Sequence, residues 1–239
     1  MRIAVVSDIH GNRTAFEAVL ADLRQTSPDL ILHGGDLADA GSSPAEIVDR
    51  IRELGWPGVM GNTDEMLWAP ESLREFARQS PQLAPLLTVI EEMAAITRAM
   101  LGEERLAWLR MLPRVQLQES VALVHASPDT AWRAPGADAS DAELEAVYQP
   151  LGKPLVVYGH IHRPYVREIG RITIANSGSV GMPYDGDRRA GYLLLDDLQP
   201  TVRRVGYDMD RELRALLDCG RPYADWVAKV IEKAGFAMP

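Results

Sequence analysis

Cysteine is almost absent from this chain: Cys219 is the one thiol in 239 residues. That excludes an intrachain disulfide framework and a cysteine-ligated zinc or iron–sulfur centre. No apolar run approaches the ~20 residues of a membrane-spanning helix. Positive charge is in deficit, with 25 Lys+Arg against 34 Asp+Glu and a net charge of −9. This balance disfavours a duplex-nucleic-acid binder and attachment to anionic membrane by charge alone. The chain shows no internal repeat, no low-complexity tract and no Gly/Ser linker to mark a boundary. A single domain over residues 1–239 is therefore expected, and 46% apolar residues suffice for a substantial core. Ile3–Val6 is too short for a signal-peptide core, so the expected location is cytoplasmic.

What is present is an alternation of strand and helix signals. Ile3–Val6 is a β-branched run typical of a buried strand. Phe16, Val19, Leu20 and Leu23 keep helical spacing up to Ser27-Pro28, and Leu30-Ile31-Leu32 is a second buried strand. Strand, helix and strand make a βαβ unit with a parallel pair, so the fold class is α/β. Ser43-Pro44-Ala45-Glu46 predicts a capping box opening a helix that ends at Gly55, with a third short strand near Val59-Met60. From about 66 to 112 strand signals vanish, which predicts an insertion of two to four helices. Strands resume at Val115–Leu117, Val121–Val124 and Leu155–Val157, with a capped helix opening at Ser140 between the last two. Closely spaced β segments from Tyr165 to Val205 predict antiparallel pairing, and two helices finish the chain.

The polar residues fall where the strands stop. Asp8 and His10 follow the first, Asp36 the second and Asn62 the third; His125 follows Val121–Val124, and His160 with His162 follow Leu155–Val157. Ligands of open α/β sheets bind outside the carboxyl ends of the strands. If these strands share one sheet, all seven side chains meet on one rim. Gly-His-x-His, as at Gly159–His162, is expected by chance fewer than about 0.01 times in such a composition. His and Asp suit divalent ions of intermediate softness, and the set does not choose among manganese, iron, zinc, nickel and cobalt. Two such ions ~3.5–4 Å apart can bind a phosphoryl group, generate hydroxide and stabilise both attacking and leaving oxygens.

Asp8-Ile9-His10-Gly11, Gly35-Asp36, Gly61-Asn62, His125 and Gly159-His160-Ile161-His162 resemble, in identity and order, the motifs of the calcineurin-like metallophosphoesterase superfamily. Ser7–Asn12 and Asn176–Gly181 are similar to its compact bacterial and archaeal phosphodiesterase branch. The resemblance covers about residues 2–207 apart from the helical insertion. It implies a four-layer α/β/β/α sandwich holding two divalent metals. Asp8, His10, Asp36 and His162 would hold one ion; Asp36 (bridging), Asn62, His125 and His160 would hold the other. It also implies hydrolysis of a phosphodiester or nucleotide phosphoanhydride by in-line attack of a metal-bridging hydroxide, with Asp36, Asn62, His10 and His160 as the catalytic set. Thr63 stands where the superfamily often has a histidine that assists the leaving group, as it does not in the phosphodiesterase branch. Ala126-Ser127 follow His125 in place of the more usual glycine. Diadenosine polyphosphate hydrolysis, protein phosphatase activity and a non-catalytic interaction scaffold are the alternatives on the same fold.

Other residues have two readings each. Asn12 and Arg13 open a helix, where anions are favoured, so each is a candidate for substrate contact or for simple capping. Arg163 is a candidate phosphate contact or an exposed arginine. His33 reads as a core or rim histidine, Asp39 as a loop residue or a support to a ligand, and Asp64 as a helix cap or a substrate contact. Tyr184, Asp185, Arg188 and Arg189 form a polar loop that could border the cleft. The Leu and Met stripe of residues 83–112 reads as packing, with a lid as its sharper alternative. No reactivity is assigned to Cys219. The expected partner is a small phosphorylated substrate, nucleotides included; oligomeric state is not legible.

Overall fold

The computed structural model describes residues 1–239. Strand β1 (Arg2–Val6) pairs in parallel with β2 (Leu30–His33), connected by helix α1 (Arg13–Thr26). Strand β8 (Ala190–Asp196) lies antiparallel on the other edge of β1 and pairs with β9 (Gln199–Val205), giving a four-stranded sheet in the order β2-β1-β8-β9. A second sheet runs in the order β3-β4-β5-β7-β6, from β3 (Val115–Leu117), β4 (Val121–Val124), β5 (Leu155–Tyr158), β6 (Tyr165–Ile169) and β7 (Ile172–Asn176). Strands β4, β5 and β7 are mutually parallel.

Layering follows from the two-residue alternation of strands. Ile3 and Val5 of β1 meet Leu123, Leu155 and Val157 of the opposite sheet in a core between the sheets. Ala4 and Val6, pointing the other way, pack with Phe16 and Val19 of α1 and Ile47 and Ile51 of α2 (Pro44–Leu54). Beyond the second sheet, Val124, Val156 and Tyr158 pack against Leu144 and Tyr148 of α6 (Asp141–Tyr148). The order is helix, sheet, sheet, helix: the four-layer α/β/β/α sandwich.

Between α2 and β3 the elements are all helical, with α3 (Asn62–Trp68), α4 (Pro70–Gln79) and α5 (Ala84–Arg110) and a 3-10 turn at Pro81–Leu83. Helix α5 is bent at Gly102, whose φ of 70° and ψ of 169° break the ladder. Helices α7 (Met209–Asp218) and α8 (Ala224–Lys233) bury Leu216, Tyr223 and Val227 together with Ala40, Met93 and Met182. No helix is long and apolar enough to cross a membrane.

Three expectations are corrected. The strand near Val59-Met60 does not form. His33 makes one isolated parallel bridge to Gly58, and the Met60 amide then turns away to Pro113 O. The Ser43 capping box is also absent: the Ser43 side chain makes no cap bond and lies 3.2 Å from Ser42 Oγ, although Pro44 opens the helix as expected. The strands carrying the site motifs do not share one sheet, because β1 and β2 belong to the first and β4 and β5 to the second.

Candidate metal centre

Two facing sheets therefore build the rim. The ends of β1 and β2 deliver Asp8, His10 and Asp36, while β4 and β5 deliver His125, His160 and His162. Asn62, with no strand before it, is the first residue of α3. The backbone at this rim is strained. Asp8 (φ 54°), His10 (50°), Asp36 (54°), His160 (66°) and His162 (55°) all occupy the left-handed region, where a non-glycine residue costs on the order of 1–3 kcal/mol. Flanking hydrogen bonds impose it: Asp8 N donates to Gly35 O at 3.0 Å and His10 N to Asp36 O at 3.0 Å. Glycine is required beside the carboxylates. A Cβ at Gly61 would collide with Asp36 Oδ1, and one at Gly159 with Asp8 Oδ2.

Asp8, His10, Asp36 and His162 are buried, with ligand atoms all within 4.8 Å of one another. A second group adjoins them. Asn62 Oδ1 lies 3.0 Å from His125 Nε2 and 2.9 Å from His160 Nδ1. Asp36 spans the two groups, with Oδ2 3.6 Å from His10 Nε2 and Oδ1 3.5 Å from His125 Nε2. Its Oδ1 also accepts from Thr63 N at 2.9 Å.

Backbone carbonyls set the histidine tautomers. Nδ1 of His10 faces Asp39 O at 3.0 Å, Nδ1 of His125 faces Gly34 O at 2.7 Å, and Nδ1 of His162 faces Met182 O at 2.6 Å. Each Nδ1 carries the hydrogen, which leaves Nε2 as a lone pair aimed into the cluster. The consequence is that His10 Nε2 and His162 Nε2, 3.2 Å apart, face each other without a hydrogen between them in the neutral form. Two buried lone pairs beside two carboxylates fit a divalent cation and fit little else.

Electrostatics agree with that fit. Burial works to raise the Asp8 carboxyl, but the imidazoles of His162, His125 and His10 outweigh it and hold the group below the usual carboxylate range. Burial lowers His10, and it takes His160 down to about 4 with help from His125. His125 is raised: Asp36 and Asp8 overcome its own burial. Asp64, pushed up to about 6 by burial and by Asp36, accepts from the amides of Asp36 (2.7 Å), Leu37 (2.9 Å) and Gly61 (3.1 Å). It ties the Asp36 loop to the start of α3, so its role is structural support.

The expected substrate contacts lie elsewhere. Asn12 is buried and caps α1 by accepting from Ala15 N at 2.9 Å, while its amide donates to Gly181 O at 3.1 Å. Arg13 pairs with Glu17 at 2.7 Å and lines a groove between α1 and α2. Arg163 is exposed and donates to Tyr184 O at 3.1 Å. His33 is buried against Trp108 with both ring nitrogens unpartnered. Of the 184–189 loop, Tyr184 lines the cleft, whereas Asp185 pairs with Arg204 and Asp187 with Arg189. Ile90 and Met93 of α5, within the 83–112 stripe that reads as packing or a lid, line the cleft, as does Trp226 of α8. Their amphipathic spacing is that of core residues, and the sequence carried no signal separating the two roles.

Known proteins place this architecture. Residues 1–198 match the calcineurin-like phosphoesterase superfamily domain, and the chain belongs to that superfamily. It is 29% identical to the protein MJ0912 of Methanocaldococcus jannaschii, across 95% of this chain and 96% of that one. It is 28% identical to a probable cyclic nucleotide phosphodiesterase of a Synechococcus species, across 70% of this chain and 71% of the other. A symmetrical bis(5′-nucleosyl)-tetraphosphatase of Methylococcus capsulatus is 30% identical over 62% of this chain and half of its own length. The crystal structure of a metallophosphoesterase from Sphaerobacter thermophilus superposes with a TM-score of 0.79 at 27% identity, covering 98% of this chain and all of that one.

Proposed function

We propose that the protein is a two-metal phosphoesterase that hydrolyses small phosphodiesters. The observation that carries this reading is the paired lone-pair cluster spanned by Asp36. Asp8, His10, Asp36 and His162 would hold one ion and Asp36, Asn62, His125 and His160 the other. Ions at these positions supply Lewis acidity and a nucleophile at neutral pH. The chain's own part is to fix the donors. The carbonyls of Asp39, Gly34 and Met182 orient three imidazoles, and Thr63 N together with the Gly61 contact fixes the Asp36 carboxylate. Asn62, His10 and His160 line the cleft beside Asp36, where the phosphate would bind. Thr63 lines the cleft, although its Oγ1 is itself buried and has no hydrogen-bond partner. A threonine hydroxyl does not act as a general acid at neutral pH, which favours esters whose leaving group departs without strong protonation.

Hydrolysis of dinucleoside polyphosphates is the second reading, favoured by the likeness to the tetraphosphatase. Metal stripping and reconstitution with manganese, read by elemental analysis and by turnover of bis(p-nitrophenyl) phosphate, tests the first. Two ions per chain and activity lost on stripping are expected; turnover indifferent to chelation would sink the proposal.

A further inference from the structure

The cleft over the cluster encloses about 160 Å³ and has two unlike sides. Its floor is the ligand cluster with Asp39 and Thr63; its wall is Ala40, Ile90, Met93, Met182, Tyr184 and Trp226. Four distant parts of the chain meet in that wall: the loop after β2 gives Ala40, α5 gives Ile90 and Met93, the loop after β7 gives Met182 and Tyr184, and α8 gives Trp226. No lysine or arginine lines the cleft. Arginines close by in sequence are tied to backbone carbonyls. Arg163 holds Tyr184 O at 3.1 Å, Arg98 holds Leu67 O at 2.6 Å, and Arg221 holds Gly41 O at 2.6 Å and Ser42 O at 3.0 Å.

A substrate with a chain of phosphates brings negative charges beyond the group held at the metals, and no Lys or Arg side chain of this lining offsets them. A ring is better served. Trp226 is fixed by Nε1 donating to Ala237 O at 2.9 Å, and Tyr184 is held against His162 with ring centroids 4.3 Å apart. Two aromatic side chains are thus already in place, and the thioethers of Met93 and Met182 adapt readily to ring edges. The space of about 160 Å³ is shared between floor and wall, so beside a phosphoryl group it leaves room for no more than one ring.

We infer that the wall is a specificity subsite for a single uncharged aromatic ring on the substrate's ester arm, so that preferred substrates are ring-bearing phosphoesters without a second phosphate. The inference rests on the phosphoesterase reading above and, within it, selects against dinucleoside polyphosphates.

Calorimetric binding of phenylphosphonate and methylphosphonate to the manganese-loaded protein separates ring recognition from turnover, since hydrolysis consumes neither. Phenylphosphonate is expected to bind about tenfold to a hundredfold more tightly. Ile90→Glu, at a half-buried position, and Trp226→Ala should each reduce that ratio below about threefold, with the far-UV circular dichroism checking the fold. Thymidine 5′-phosphate against ribose 5-phosphate repeats the comparison for a nucleobase: a similar advantage assigns the ring to a base, and equality assigns it to a directly attached aryl group. Equal binding of the two phosphonates by the native chain, or a phenyl advantage surviving both substitutions, overturns the subsite. Turnover of bis(p-nitrophenyl) phosphate is read in parallel. Its absence would overturn the phosphoesterase reading, while the phosphonate ratio still judges the wall.

Discussion

On the floor of the cleft, polar atoms are held by named partners at 2.6–3.2 Å, and five of the clustered Asp and His residues sit in a strained backbone conformation to reach their places. Across from them the wall is made of ordinary helix and loop residues whose only shared property is apolarity. Ile90 and Met93 follow the packing stripe of α5, and Trp226 that of α8. The floor tolerates almost no change in geometry, because each donor is fixed both by its backbone and by a neighbour. The wall tolerates changes of shape that preserve hydrophobicity, as cores do. On the proposed reading, chemistry and selectivity fall to different parts of the chain, one tightly determined and the other free to vary.

Asp36→Ala would break that comparison most severely. Removal of the one carboxylate reaching both donor groups should lower kcat/KM on an aryl diester at least about a thousandfold and strip the bound metal, while the wall stays folded. Elemental analysis alongside kinetics measures both. Gly61→Ala leaves every ligand in the sequence but drives a Cβ into the Asp36 carboxylate. A loss of about tenfold to a hundredfold in metal affinity is expected, since displacing a ligand's support has effects of that order. Thr97→Val tests the seam between floor and wall. Thr97 Oγ1 of α5 donates to Asp39 Oδ1 at 2.6 Å, and Asp39 O in turn orients His10. About tenfold weaker metal binding is expected, restored by Thr97→Ser. A titration unchanged in the valine variant would show that the seam does not position His10.

His33→Leu should have the smallest catalytic effect, because His33 belongs to neither side. Burial lowers its pKa to about 4, below the ordinary ~6.5 of the unfolded chain. The unfolded state therefore takes up the proton first. The stability contributed by the neutral buried ring is complete above pH 6.5 and is lost as pH falls toward 4, by about 3 kcal/mol. Urea denaturation across that range should give a flatter pH profile for the leucine variant, with turnover at neutral pH little altered.

How much of this was legible follows from what each signal depends on. Gly159-His160-Ile161-His162 and Asp8-Ile9-His10-Gly11 stand at strand ends because a short apolar run must stop where polar residues begin, and that change is local. Asp64 was ambiguous between cap and substrate contact because its partners, the amides of Asp36 and Leu37, are 28 and 27 residues away. Asn12 and Arg13 looked alike as helix-start residues. The fold buries one under Gly181 and turns the other toward Glu17. The run at Val59-Met60 read as a strand because periodicity cannot see that Met60 N has Pro113 O to bind.

The sequence by itself determined which Asp and His residues stand at strand ends, the α/β alternation and the position of the all-helical segment. Each depends on residue type and short-range spacing, which neighbouring residues enforce through sterics and burial. Only the tertiary structure decided that the clustered Asp, Asn and His side chains come from two facing sheets and the start of α3, that Nε2 of His10 meets Nε2 of His162, and that α5 and α8 complete one apolar wall. Those facts depend on which surfaces touch. An apolar stripe on a helix has the same pattern whether it faces a core or a cleft.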